Sequence, residues 1–228
     1  MTEAEWLTST DPEAMLASLR GQVSDRKVRL FAVACCRHLL RQVPVNSRDV
    51  RAVEVAERYA DGGADAAELQ RAAAGTTPDW TAALACQEAA SPEGGVDAAI
   101  YSADNATREA GSHAAFLVDE DEDGPSFAAG RGAERVVQTA LLRDILGNPF
   151  RPVFVSPAWL TPTVAAVAQA AYDQRSLPEG TLHPHRLAVL ADALEEAGCT
   201  DEEVLGHLRG PGPHVRGCWP VDSLLGKE

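Results

Sequence analysis

The sequence predicts an all-α protein, an irregular bundle of about nine to eleven short helices with one extended Pro-rich crossing segment. Three observations carry that reading. Aromatic residues make up only 5% of the chain and Ala is abundant, which suits closely packed helices and not strands. Helix start and stop signals recur almost end to end. The one stretch that breaks the pattern, "NPFRPVFVSPAW", holds Pro149, Pro152 and Pro157 and must run extended, long enough for at most one short strand.

The elements follow in order. Thr10 and Asp11 stand before Pro12, so a helix opens there and runs through "AMLASLR" to Gly21. Ser24 caps the next, "DRKVRLFAVACCRHLLRQ". Its Val28, Phe31, Cys35 and Leu39 share one stripe, with Arg26, Arg29, Arg37 and Arg41 mostly off it. Asn46 and Ser47 open a third, closed by Gly62 and Gly63. Short Ala-rich helices are expected near 65–74, 79–90 and 96–117, burying little area each. Residues 119–130 read as an exposed acidic loop. Helix resumes over 131–146 and stops at Gly147, Asn148 and Pro149. Further helices are expected near 162–175, 185–197 and 200–209, with Gly198 ending the second and Thr200 to Glu203 forming a capping box. A last short helix starts at Pro220. The division that follows is an N-terminal helical subdomain over 1–118, the acidic loop 119–130 and a C-terminal helical subdomain over 131–228, or one continuous domain.

Charge is distributed unevenly. The net charge is −14, yet residues 20–58 carry nine bases against four acids, and residues 61–130 carry fourteen acids against two bases. Basic helices and an acidic middle can face each other, water or an acidic partner. Nucleic acid is an unsuitable partner, because the overall negative charge repels phosphate and no aromatic residues interleave with the bases. Five cysteines, two of them adjacent at Cys35 and Cys36, do not form a secreted disulfide framework. The first residues lack the basic and apolar regions of a signal peptide, and no apolar run approaches the ~20 residues that span a bilayer. A reduced, cytoplasmic protein with no membrane partner is expected.

The chemical candidates are few. Asp119, Asp121, Asp123 and Gly124 match the start of an EF-hand loop, but Gly130 stands where the bidentate Glu belongs, so a solvated acidic linker is expected. A thiol and imidazole set is available in Cys35, Cys199, His214 and Cys218, with His207 and His38 nearby in sequence. Zinc accepts four such ligands from distant segments, although there is no CxxC. Cys218, His214 and an acid such as Asp222 have the residue types of a nucleophilic site. A helix–turn–helix outline over 185–209 is ruled out as a DNA reader because its second helix opens on Asp201, Glu202 and Glu203. The stretch "PGPHVRGCW", residues 211–219, reads as a fixed structural corner. Asp144, Arg151 and Arg216 are suited to satisfy extended backbone or pair with each other, and Trp159 and Trp219 to close the corner by burial.

The segments "AEWLTSTDPEAMLASLRGQVSDRKVRLFAVACCRHLL", "AVEVAERYADG", "ALLRDILGNPFRPV", "AWLTPTVAAVAQAAYDQR", "LAVLADALEEAGC" and "HVRGCWPVDSLLGKE" resemble a large paralogous bacterial family of uncharacterised proteins. The resemblance spans nearly the whole chain except about 64–130. Residues 190–198, "LADALEEAG", are also similar to a short helix of a repeat-companion domain found in such paralogous sets. The resemblance implies no activity. It implies many coexisting copies, which suits an interaction module better than a housekeeping enzyme. The function expected is therefore a non-catalytic protein-interaction module with a protein partner and no cofactor. The alternative is a zinc-binding or thiol-dependent protein using Cys218 and His214.

Overall fold

The computed structural model describes residues 1–43, 46–76 and 81–227. Among them lie twelve α-helices and one 3-10 turn, with no strand, so the fold is all-α. The helices are α1 (Glu3–Thr8), α2 (Pro12–Ser18), α3 (Asp25–Leu39), α4 (Ser47–Ala60), α5 (Ala66–Ala74), α6 (Thr81–Ala89), α7 (Gly95–Phe116), α8 (Pro125–Leu146), α9 (Pro162–Asp173), α10 (Pro184–Glu196), α11 (Glu202–Arg209) and α12 (Trp219–Leu225). Caps set most of their starts. Asp11, Ser24, Asn46, Asp65, Thr161 and Asp201 each accept a backbone N–H of the first turn. Residues 79–80, expected to begin a helix, lie outside the described residues.

Helix α3 is the hub, packed against α4, α6, α7 and α8. Its expected stripe of Val28, Phe31, Cys35 and Leu39 is buried, but so is nearly every other face. Arg29 and Arg37, expected mostly off the buried stripe, are buried too, each turned to an acceptor. Arg29 donates to the carbonyls of Ala89 and Ser91, and Arg37 to Glu57 and the carbonyl of Pro178.

Several boundaries move. The acidic loop is shorter than expected, because Pro125 takes the first turn of α8 and residues 125–130 are helical. Helices α7 and α8 form a long antiparallel hairpin of 22 residues each. They approach so closely at Gly130 that a Cβ there would lie 2.7 Å from the Ala110 carbonyl oxygen and the Ala114 Cβ. The cap of α11 is Asp201 and not Thr200, since its carboxylate accepts from the N–H groups of Glu203 and Val204. The Pro-rich segment forms no strand; the two isolated bridges, Ser176 with Thr181 and Thr181 with Val215, lie elsewhere in the chain.

The apolar interior forms two clusters. The first draws on α1 to α8, with Trp6, Phe31, Leu39, Leu69, Leu142 and Ile145 among its larger members and many Ala between them. The second draws on α9 to α12, with Val164, Tyr172, Leu190, Leu194 and Val221. The clusters part along the extended segment after α8, not at the acidic loop. The 214–218 corner belongs to both, because Val215 packs in the first cluster and Cys218 in the second.

Candidate metal centre

The corner between the two clusters gathers four ligand-bearing side chains. Asp144 sits in the last turn of α8, His207 in α11, His214 in the loop before α12, and Cys218 at the start of α12. One ligand atom from each lies within 4.8 Å of all the others. Asp144 Oδ1 is 2.9 Å from His207 Nε2 and 2.8 Å from His214 Nδ1. Cys218 Sγ is 3.3 Å from His207 Nε2 and 4.0 Å from His214 Nδ1. A tetrahedral zinc with bonds of about 2.0–2.3 Å needs ligand–ligand edges of about 3.3–3.5 Å, so these spacings bracket the requirement.

Local backbone explains how a Pro- and Gly-rich loop delivers two ligands. Gly217 has φ +97 and passes so close to α3 that a Cβ would sit 3.0 Å from Leu30 Cδ1. No L side chain fits that conformation and that gap together. The turn aims His214 and Cys218 inward on either side of Val215, whose N–H donates to Asp144 Oδ2 at 2.9 Å. Lys27 ties the same turn to α8 by donating to the carbonyls of Ile145 and Gly217.

Burial makes the electrostatics demanding. Asp144, His214 and Cys218 are buried, and His207 is the one partly exposed member. Burial pushes the Asp144 carboxyl up, but hydrogen bonds from His207 and His214 outweigh it and hold it below the ordinary carboxylate range. For His214, burial lowers the imidazole, and the Asp144 hydrogen bond and charge overcome this and raise it. The Cys218 thiol is pushed well up by burial and then by the Asp144 charge. A fully buried thiol held protonated is the opposite of an activated nucleophile.

His214 stands between two acceptors. Its Nε2 is 3.2 Å from the Gly210 carbonyl oxygen, which can only accept, so that nitrogen carries a proton. A neutral ring then presents a bare lone pair to the Asp144 carboxylate. The contact is attractive only with a cation at that position, either a second proton on Nδ1 or a metal ion between Nδ1 and Oδ1. With zinc, an aspartate, a thiolate and two neutral imidazoles make a charge-neutral set, which suits a buried site. The Nε2–H to carbonyl contact is also the usual outer partner of a metal-bound imidazole.

The sequence candidates distribute as follows. His214 and Cys218 meet, as their pairing in the zinc set requires. Cys35 is fully buried in the first cluster and Cys199 is buried in the second, and neither joins the ligand group. Asp144, assigned to the structural corner, and His207, left outside the set, complete it. Asp222, offered as the acid beside Cys218, pairs with Arg26 and Lys27. Of the corner residues, Trp219 donates its indole N–H to His207 Nδ1 at 3.2 Å, and Trp159 packs on the second cluster. Arg216 turns to Asp61 and lies over the Tyr172 ring. Arg151 is exposed and pairs with Glu3, at the rim and not within the corner. The acidic residues 119–123 are exposed, and none belongs to the ligand group. What joins Asp144 to the corner is a contact across more than sixty residues, for which the sequence holds no local signal. The chain matches no protein-family model, no curated protein and no solved structure.

Proposed function

We propose that this chain is a zinc-stapled, non-catalytic interaction module. The convergence of Asp144, His207, His214 and Cys218 into one buried group carries the zinc half of the reading. Four protein ligands close the coordination sphere, and burial of three of them leaves no position for a substrate or an activated water. That is the pattern of structural and not catalytic zinc. The ion joins α8 of the first cluster to α11 and α12 of the second, so it fixes how the two halves pack. In this reading the thiols stay reduced in a cytoplasmic setting, and Cys218 serves as a ligand, not as a nucleophile.

The module half rests on the tip of the α7–α8 hairpin. Phe116, Leu117 and Val118 are exposed there, directly before the acidic run 119–123. An apolar patch beside a single-sign charge patch suits a partner surface that is apolar and basic.

Metal analysis of protein purified without a histidine tag tests the zinc half. One zinc per chain is expected, lost in Cys218→Ser and in Asp144→Asn. Metal-free protein, or metal that survives both substitutions, overturns it. For the module half, a partner captured by the wild-type chain should be lost with Phe116→Asp.

A further inference from the structure

A second cluster of charged side chains lies on the other side of the junction, and its charges do not balance. Glu57 and Asp61 of the α4 end and Asp222 of α12 face six cations: Arg26 and Lys27 of α3, Arg37 also of α3, Arg175, Arg216 and Lys227. Among the described residues this leaves three carboxylates against six cations. Asp222 is fully engaged, with Arg26 Nη1 at 2.6 Å and Lys27 Nζ at 2.6 Å. Asp61 accepts from Arg26 Nε at 3.0 Å and from the Tyr172 hydroxyl. The surplus therefore gathers at Glu57, where one carboxylate oxygen takes Arg37 Nη2 at 2.7 Å, Arg175 Nη2, and Arg216 Nη1 at 4.0 Å.

These guanidiniums have donors to spare. Arg216 Nε is 2.9 Å from Asp61 Oδ2 but off the N–H direction, so it pairs by charge without a hydrogen bond. The Nε atoms of Arg37 and Arg175 are buried without a hydrogen-bond partner. Arg37 is itself 3% exposed, so its charge is almost wholly removed from water. A side chain of this kind normally keeps every donor paired when buried. Arg175 and Arg216 form the rim, with side chains 14% and 15% exposed, and Lys227 stands beside them at 29%.

We infer that this rim binds one doubly charged oxyanion of the phosphate type. Arg175 and Arg216 bring two guanidiniums from separate segments to the rim, backed by Arg37 and flanked by Lys227; their Nε groups are buried, so a tetrahedral oxyanion would meet the remaining Nη N–H groups. A dianion removes most of the surplus charge, and Arg175 supplies N–H groups beyond the one given to Glu57. Because Arg37 belongs to the first cluster and Arg175 and Arg216 to segments around the second, the anion tightens the same junction as the metal. The inference does not depend on the metal reading, since none of these cations is a ligand of that centre.

The test is calorimetric titration of the protein as purified, with inorganic phosphate and separately with glycerol 3-phosphate, against chloride at matched ionic strength. One equivalent is expected to bind. Arg175→Gln and Arg216→Gln should each weaken it by about tenfold or more, the loss of one charge-assisted hydrogen bond. Arg209→Gln, in a remote exposed ion pair, should leave it unchanged. Tighter binding of the ester assigns the site to phosphomonoesters, and equal or weaker binding assigns it to free phosphate. Arg175→Gln keeps the test open if Arg216→Gln fails to fold. Absence of saturable binding of either probe, or equal affinity in both variants and wild type, overturns the proposal.

Discussion

Asp144 Oδ1 and His214 Nδ1 lie 2.8 Å apart, and the opposite nitrogen of the same ring lies 3.2 Å from a carbonyl oxygen. The pair therefore needs a cation between carboxylate and imidazole, and the His207 and Cys218 atoms beside it offer that cation two more ligands. If the cation is zinc, chelation lowers the thermal midpoint of the wild-type protein and leaves Asp144→Asn unchanged, because the variant has already lost the ion. Removing a structural zinc costs several kcal/mol of folding free energy in small metal-bound domains. A chelator that shifts both proteins equally, or neither, contradicts the expectation.

The Trp219 indole gives a second readout of the same centre. A tryptophan N–H only donates, so His207 Nδ1 must accept in the arrangement seen here, with its proton on Nε2. Coordination through Nε2 moves the proton to Nδ1 and sets two N–H groups against each other. Metal loading must then displace the Trp219 ring from its T-shaped contact with His207, where the ring centroids are 5.4 Å apart. The Trp219 indole N–H resonance, assigned by its absence in Trp219→Phe, should shift on addition of zinc and return on chelation. An unmoved resonance in protein that demonstrably holds zinc would show that His207 is not a ligand.

The helical class and most element starts could be read from caps, Pro and Gly, because those signals are local. One element stays unassigned and one boundary is misplaced, both for local reasons. The capping box of Thr2 and Glu5 was present in the sequence but short, and it opens α1. In "DEDEDGPSFAAG" the Gly and Pro look like a loop, yet Pro125 is the first residue of a 22-residue helix. The group of Asp144, His207, His214 and Cys218 was legible only in part. His214 and Cys218 are four apart and invite pairing. Asp144 reaches them only because α3, held by Lys27, brings the end of α8 against the corner. Cys35 and Cys199 were offered as ligands by residue type alone, and free cysteines serve as often as small core residues.

Glu134 sets a pH dependence away from that centre. Its carboxyl is buried between α3 and α8, 3.4 Å from His38, and burial raises it to about 7 against hydrogen bonds from Gln138 and Gln42 that lower it. His38 is itself lowered by burial, so it does not supply a compensating charge at neutral pH. The folded state thus holds this proton more tightly than the unfolded chain. The associated stability is full below pH 4.5 and is lost as pH rises through about 7. Glu134→Gln should be close to neutral at pH 5 and stabilising at pH 8, by up to about 3 kcal/mol. Urea unfolding at the two pH values measures the difference, and a variant equally stable relative to wild type at both would contradict it.

Asp222 is the carboxylate on which the α3–α12 contact depends. Its side chain is 1% exposed, and it accepts from Arg26 and pairs with Lys27, both about six-sevenths buried. Both cations already satisfy other acceptors, Arg26 at Asp61 and Lys27 at two carbonyls, so neither can turn to water when Asp222 is neutralised. Asp222→Asn keeps the shape but leaves two buried positive charges facing a neutral amide that has one acceptor oxygen in place of a charged carboxylate. Breaking one side of a buried pair typically costs about 3–5 kcal/mol. Asp222→Asn should therefore lower the unfolding free energy by about that amount, more than Asp192→Asn, whose partner Arg209 is exposed. Denaturant titration of the two variants side by side decides it. Equal losses would mean that the α3–α12 contact is held by its apolar packing and not by this ion pair.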